Sequence, residues 1–296
     1  MPEGLLLSAP NISEGRDASK IAAIASVFTG ASTAVRLLDI HSDADHNRSV
    51  FTLAGEPNEL RRSLFSAARA VVELVDVVSD PSSGGVHPHV GSLDVAPLVY
   101  YYPEARGVAC AQALVLAEEI ASHLDIPVFL YGELAGGRTR AQLRRGGVEG
   151  LRARIQSGEW VPDFGPARLH PTAGATLISA REPLVAFNLE LQPPSGLVDA
   201  QRIASLIREG GAEGLPGLRA IGVQVKGGIA QVSMNVERPL ETPLALIVQT
   251  VGRHAAIARA ELVGLTPRAA LEGFPQDLEM PGFEPARHVI ENALGL

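Results

Sequence analysis

The sequence predicts an α+β protein built of two subdomains, and three observations lead to this prediction. The chain has 296 residues, which is more than one typical hydrophobic core accommodates. Hydrophobic residues make up 46% and charged residues 20%, as in folded globular proteins. Both halves show strand-like and helix-like segments in the order βαββαβ, which is the order of a ferredoxin-like unit. We place the first subdomain at residues 1–175 and the second at 176–296.

The first half follows this order from the N-terminus. Apolar residues Ile21, Ile24 and Phe28 recur at helical spacing, and Pro57 stands where a second helix begins. The predicted elements are a strand at 5–8, a helix at 17–28, strands at 35–40 and 49–54, a helix at 57–75 and a strand at 93–101. A further helix at 104–124 and a buried strand at 127–131 follow them.

The second half repeats the order after a connection rich in glycine and proline, residues 132–174. Gly227 and Gly228 form a hairpin turn between two strand-like runs, and Pro243 precedes the last helix of the repeat. The predicted strands lie at 184–191, 218–225, 229–236 and 260–265, and the first helix lies at 198–207. From residue 274 onward we expect a tail with one short helix near 288–293.

Composition excludes several classes of function. The net charge of −8 argues against a nucleic-acid partner, which requires a broad basic surface. No apolar segment has membrane-spanning length, and the N-terminus lacks the basic start of a signal peptide. The single cysteine, Cys110, excludes an internal disulfide framework and fits a reducing compartment. These features predict a cytoplasmic protein without a membrane partner.

The stretch GGVHPHVGSLDV, residues 84–95, is the strongest candidate for chemistry. It places His87 and His89 in a glycine-flanked loop that leads into an apolar strand, where an imidazole is suited to proton transfer near neutral pH. A turn whose histidines only satisfy local hydrogen bonds explains the same pattern. A metal pair of these histidines, helped by Asp43, Asp45 or Asp94, is weakly supported because no further ligand pattern reinforces it.

Three further polar segments are candidates, each with a structural alternative. Residues 41–48, HSDADHNR, contain Asn47 and Arg48, which are suited to hold a carboxylate, although Asp and Asn are also common in exposed turns. Residues 11–16, NISEGR, are a second candidate for a functional site. The structural alternative is that Ser13 or Asp17 caps the next helix. Residues 163–174 form a ligand groove or a crossover. A basic run either attracts an acidic ligand or is a solvated helix face: Arg138, Arg140, Arg144 and Arg145.

Taken together, the segments resemble the formiminotransferase family. The matching segments are PNISEGRD (10–17), LLDIHSDADHNRSVFTLAG (37–55), GGVHPHVGSLDVAPLV (84–99), VFLYGELA (128–135), RRGGVEGL (144–151) and WVPDFGPARLHPTAGATLISAREPLVAFNLEL (160–191). AIGVQV, AQVSMNV and AELVGLTP extend the match toward the C-terminus. The resemblance covers nearly the whole chain in order and includes no cyclodeaminase domain, which the family's bifunctional members carry.

The resemblance implies a fold, an activity and a set of site residues. It implies two ferredoxin-like subdomains with a ligand tunnel between them, a homodimer, and transfer of a formimino group from N-formimino-L-glutamate to N5 of tetrahydrofolate. The family's catalytic histidine falls at His87, and its substrate-site NR pair falls at Asn47 and Arg48. Its folate-binding segment falls at Gly165, Pro166, Ala167, Arg168, Leu169, His170, Pro171, Thr172, Ala173 and Gly174.

Two departures from the family pattern leave alternatives open. The family commonly has Arg where this chain has His89, and a GPSTNR-type loop where this chain has DADHNR. Formimino-glycine is therefore an alternative donor. A folate-binding relative without catalysis and a metal-dependent hydrolase are the alternatives from other classes. Of these, the resemblance favours the transferase that acts on formimino-glutamate.

Overall fold

The chain folds into two compact units, residues 1–182 and 183–296, each with its own sheet. A computed structural model describes residues 4–30, 34–79 and 88–295. The protein is of mixed α and β structure, so the predicted class is confirmed at that level. Within the described ranges, no helix combines the length and apolar composition that crossing a membrane requires.

The first unit contains most of the elements predicted for the first half, and two strands that were not predicted. Its strands are β1 (Leu6–Ser8), β2 (Asn11–Ile12), β3 (Val35–Asp43), β4 (Arg48–Gly55), β5 (Leu93–Val99), β6 (Val128–Leu130) and β7 (Thr176–Arg181). Its helices are α1 (Ala18–Gly30), α2 (Pro57–Leu74), α3 (Arg106–Leu124), α4 (Arg140–Arg144) and α5 (Gly147–Gln156). The unpredicted strands are β2 and β7.

The seven strands of the first unit form one sheet. β4 pairs antiparallel with β3 on one side and with β1 and β2 on the other, and β1 and β2 also pair with β5. β7 lies between β5 and β6 and is parallel to both. Residues 176–181, which the sequence analysis placed in the second subdomain without a strand, are therefore hydrogen-bonded within the first sheet.

Both faces of β5 are covered, which explains its uninterrupted apolar sequence. On one face Ala96 and Leu98 belong to the larger core, which contains residues of α1, α2 and α3. On the other face Val95 belongs to a smaller cluster with Leu143 and Leu151 of the α4–α5 region. This strand is consequently a rigid support for the residues at its N-terminal end.

Local sequence explains where α2 begins. The Glu56 carboxylate accepts hydrogen bonds from the amides of Asn58 and Glu59 at 3.1 and 3.2 Å, and Pro57 occupies the first helical position. Leu60, Leu64 and other apolar residues at helical spacing then face the core. Capping and periodicity therefore agree, and the predicted start is correct.

The second unit has the element order βαββαβ and a four-stranded antiparallel sheet. Its elements are β8 (Val185–Leu191), α6 (Leu197–Ile207), β9 (Leu218–Gln224), β10 (Ala230–Val236), α7 (Leu244–Gly252), β11 (Ile257–Val263), α8 (Pro285–His288) and α9 (Ile290–Leu294). The strands are arranged β11-β8-β10-β9. The expected tail is packed, since Phe274 and Phe283 lie against the core and the Ala260 amide donates to the Glu279 carbonyl at 2.8 Å.

Candidate functional site

A polar pocket of about 240 Å³, including the part open to solvent, lies in the first unit. It is formed by β2, the turn between β3 and β4, the start of β5 and the end of α4. Its lining residues are Asn11, Ile12, Ser13, His46, Asn47, Arg48, His89, Asp94 and Arg144. The structure therefore brings the predicted substrate pair, Asn47 and Arg48, to the same pocket as a histidine of the 84–95 stretch.

Asn47 is held in place by its turn. Its backbone adopts φ = 46°, a left-handed conformation that asparagine tolerates better than most residues, and its Oδ1 accepts a hydrogen bond from the Gly15 amide at 3.0 Å. A Cβ on Gly15 would lie 2.2 Å from the Asp43 carbonyl oxygen, so only glycine permits this approach. The turn is thus fastened to the segment that follows β2, and Asn47 is buried beside Arg48.

The segment 11–17 contains both a helix cap and a residue that lines the pocket. Asp17 caps α1, since its Oδ1 accepts from the amides of Ser19 and Lys20 at 2.9 and 3.2 Å. Ser13 does not cap the helix. It lines the pocket, its hydroxyl donates to the Gly91 carbonyl at 2.7 Å, and its amide donates to the Ser92 carbonyl at 2.9 Å. Ser13 therefore ties this segment to the residues that follow His89.

His87 lies outside the described residues, so its catalytic assignment stays a prediction. The described chain resumes at Pro88, and His89 lines the pocket. The Val90 amide donates to Asp94 Oδ1 at 2.8 Å, which closes a tight turn before β5. The two residues that follow His87 in sequence thus lead into this pocket.

The predicted folate segment is fastened to the same loop. The Ser92 amide donates to the Ala173 carbonyl and the Ala175 amide donates to the Val90 carbonyl, both at 2.9 Å. A Cβ on Gly91 would lie 1.8 Å from the Ala175 carbonyl oxygen. A Cβ on Gly174 would lie 2.3 Å from the Val90 carbonyl oxygen, and this glycine has φ = 70°. Two glycines therefore allow two backbones to meet where side chains would separate them.

Within the predicted folate segment, His170 accepts hydrogen bonds that shape the turn, and Arg168 is exposed. His170 Nδ1 accepts from the amides of Ala173 and Thr172 at 3.0 and 3.3 Å, and burial lowers the pKa of this imidazole below its ordinary value. Arg168 forms an exposed ion pair with Asp125 at the end of α3. None of the segment's residues is among those that line the pocket.

Asp94 and Arg144 form a buried ion pair at the pocket. Arg144 Nη2 donates to Asp94 Oδ2, while Asp94 Oδ1 takes the Val90 amide. Arg154, also buried, donates to the carbonyls of Gln142, Leu143 and Arg145 at 2.6 to 2.8 Å. These bonds hold the backbone on both sides of Arg144. The guanidinium of Arg144 therefore reaches the pocket from a rigid backbone.

The described residues contain no group of three or more His, Cys, Asp or Glu side chains placed to hold a metal ion. The carboxylates of Asp43 and Asp94 both accept hydrogen bonds from the protein itself. Asp43 Oδ1 accepts from the amides of Asp45 and His46, both at 2.8 Å, and Asp94 is engaged as described above. Because His87 lies outside the described residues, the metal-pair alternative is not tested by this arrangement.

Comparison with known proteins identifies the family. The model of the formiminotransferase domain, N-terminal subdomain, matches residues 5–181. The chain belongs to the formiminotransferase family. A glutamate formimidoyltransferase of Streptococcus pyogenes serotype M1 is 35% identical, with 96% of this chain and 97% of the relative covered. A protein of the same name from Thermoplasma acidophilum is 32% identical, with 88% of each chain covered.

Bifunctional members of the family match over one part only. The formimidoyltransferase-cyclodeaminase of Sus scrofa is 36% identical over 88% of this chain, which spans 50% of the relative's length. All residues that line the pocket lie within the stretch that the formiminotransferase model matches.

The sequence analysis missed the ion pair of Asp94 with Arg144 at the pocket. Arg144 was grouped with three neighbouring arginines, which left a solvated helix face as the alternative, and Asp94 was considered only as a helper to a metal pair. One signal was available, because both residues lie in segments that resemble the formiminotransferase family, at 84–99 and 144–151. Their pairing across 50 residues was not visible in the chain order.

Proposed function

We propose that this protein is a glutamate formimidoyltransferase, which transfers the formimino group of N-formimino-L-glutamate to N5 of tetrahydrofolate. The observation that carries the proposal is the match, nearly end to end in both chains, to a relative named for this activity. The pocket supports it, because Asn47 and Arg48 are suited to a carboxylated donor. The fastened folate segment beside the same loop supports tetrahydrofolate as the acceptor co-substrate.

In the proposed reaction, N5 of tetrahydrofolate attacks the amidine carbon of the donor. The bond from N5 to this carbon forms, and the bond from the carbon to the glutamate nitrogen then breaks, with no change of oxidation state. We assign His87 as the group that accepts the proton lost by N5 and returns one to the departing nitrogen. Fixing two substrates in line supplies much of the remaining acceleration.

The finer structural expectations form part of this proposal. In the first sheet four strands are arranged β3-β4-β1-β5, and in the second sheet the strands are arranged β9-β10-β8-β11. Strands with the same place in the βαββαβ order therefore occupy the same place in each sheet, which supports two ferredoxin-like subdomains. The ligand tunnel and the homodimer are expectations from the resemblance, and the single cysteine favours the reducing cytoplasm. Light scattering tests the dimer, and cell fractionation tests the location.

An assay with formimino-glutamate and tetrahydrofolate that follows 5-formimino-tetrahydrofolate tests the activity. Parallel rates with formimino-glycine decide which molecule is the donor. Folate binding without turnover of any donor would instead establish a non-catalytic folate-binding protein. Faster transfer from formimino-glycine would replace the donor but keep the reaction type.

His87→Ala tests the proposed proton transfer. We expect its turnover to fall by about 10²–10⁴-fold, which is the usual contribution of a general acid–base group. His123→Ala, an exposed histidine at the end of α3, is the matched control and should keep full activity. Unchanged turnover in His87→Ala would remove this residue from the mechanism.

A further inference from the structure

The Arg144 guanidinium is buried yet reaches the pocket. Its side chain is only 9% exposed and that of Asp94 5%, although both line the cavity. Asp94 uses one oxygen for Arg144 and the other for the Val90 amide, which fixes the carboxylate and hence the orientation of the guanidinium. Arg144 is therefore preorganised rather than free to swing toward solvent.

The hydrogen bonds of this guanidinium are incomplete. Nη2 of Arg144 is engaged by Asp94, but the buried Nε has no acceptor among the described residues. Buried donors of this kind are nearly always paired in native proteins, since leaving one unpaired is costly. A guanidinium with an open donor at a pocket wall is arranged to receive an acceptor from a ligand.

The charges at the pocket favour an anionic ligand. Asp94 is the one carboxylate among the lining residues, and the ion pair with Arg144 offsets its charge. Arg48 adds a further cation, and the amide of Asn47 adds a donor. In a protein with a net charge of −8, this is a local site for a carboxylate, whose shape matches the arginine fork.

We propose that Arg144 binds a carboxylate of the formimino donor, and that Asp94 is the positioning residue that orients it. This inference rests on the proposed function and names a further binding group in it. The donor is favoured over the folate because Asn47, Arg48 and His89 share the pocket, whereas the predicted folate segment contributes no lining residue. Arg144 thus selects donors that carry an acidic group beside the amidine.

Arg144→Lys is the primary test, because it keeps the charge that neutralises Asp94 and removes the fork. We expect KM for formimino-glutamate to rise about 10- to 100-fold, as loss of a charged hydrogen bond predicts, while KM for tetrahydrofolate stays within about twofold. Arg145→Lys is the matched control, since the neighbouring side chain is 76% exposed, and it should behave as the wild type. A purely structural role would instead lower Tm without a selective change in one KM.

A neutral double variant, Asp94→Asn with Arg144→Gln, keeps a hydrogen-bonded pair without charge and avoids an isolated buried carboxylate. It should show the same selective rise in the donor's KM. If both KM values are unchanged in this variant and in Arg144→Lys, the inference is overturned while the transferase stands. A rise confined to the KM for tetrahydrofolate also overturns it.

Direct binding separates this inference from the proposed function. Calorimetry with N-acetyl-L-glutamate, which has no group to transfer, should show about 10- to 100-fold weaker binding to Arg144→Lys than to the wild type. The dimethyl ester of this probe should bind both proteins equally weakly. Selective binding without any transferase activity would support the carboxylate site and refute the proposed function. No binding of the probe to the wild type would overturn the inference.

Discussion

Replacing Gly91 with alanine should unfasten the loop that follows His87 from the predicted folate segment. The added Cβ would lie 1.8 Å from the Ala175 carbonyl oxygen, 2.8 Å from the Ala175 carbonyl carbon and 3.0 Å from the Ala173 carbonyl oxygen. All three are backbone atoms, so no side chain can turn away to make room. The two backbones must therefore move apart.

The size of the effect follows from what this movement disturbs. Forcing a methyl group into a packed site costs about 1–3 kcal/mol. The hydrogen bonds from Ser92 to Ala173 and from Ala175 to Val90 are also weakened, at about 0.5–1.5 kcal/mol each. We expect the free energy of unfolding of the first unit to fall by about 2–6 kcal/mol. Turnover should fall by about 10²-fold, because a shift of about 1 Å between reacting groups has this effect.

Urea unfolding and steady-state kinetics of the purified variant measure both quantities. Gly107→Ala is the matched control, because Gly107 lies in the first turn of α3 and a Cβ there meets no atom within 4 Å. That control should gain about 0.5–1 kcal/mol from the higher helix propensity of alanine and keep full activity. A Gly91→Ala protein within about 0.5 kcal/mol of the wild type, with wild-type turnover, would refute the reasoning.

Two further predictions concern site residues. Asn47→Asp keeps the acceptor for the Gly15 amide but adds a negative charge to the pocket. KM for formimino-glutamate should therefore rise about tenfold, with little change in Tm. An unchanged KM would argue against a carboxylate site. Burial lowers the pKa of His170 in the folded protein. Below about pH 6.5, the ordinary pKa of histidine, the unfolded chain therefore binds more protons than the folded one. The free energy of unfolding should fall as the pH falls from about 6.5 through the pKa of His170 in the folded protein. His170→Asn, which keeps an acceptor for the turn, should lose that part of the pH dependence in urea titrations, and identical profiles would contradict this role.

Local pattern was sufficient for most of the fold. Helical spacing and the Pro57 start predicted α2 correctly, and the Gly227–Gly228 turn was predicted between β9 and β10. β7 was missed because a short apolar run after a glycine-rich segment carries no periodicity of its own. Its position between β5 and β6 is a parallel pairing, which the residues of β7 alone do not encode.

The sequence by itself determined most of the elements, the family and a set of candidate site residues, because these depend on neighbouring residues and on motif spacing. Only the tertiary structure decided which of these residues meet. It buried Arg144 against Asp94, although three neighbouring arginines suggested a solvated face, and it exposed Arg168 in a pair with Asp125. The reason is physical: burial and ion pairing depend on contacts between distant segments, such as the 50 residues that separate Asp94 from Arg144.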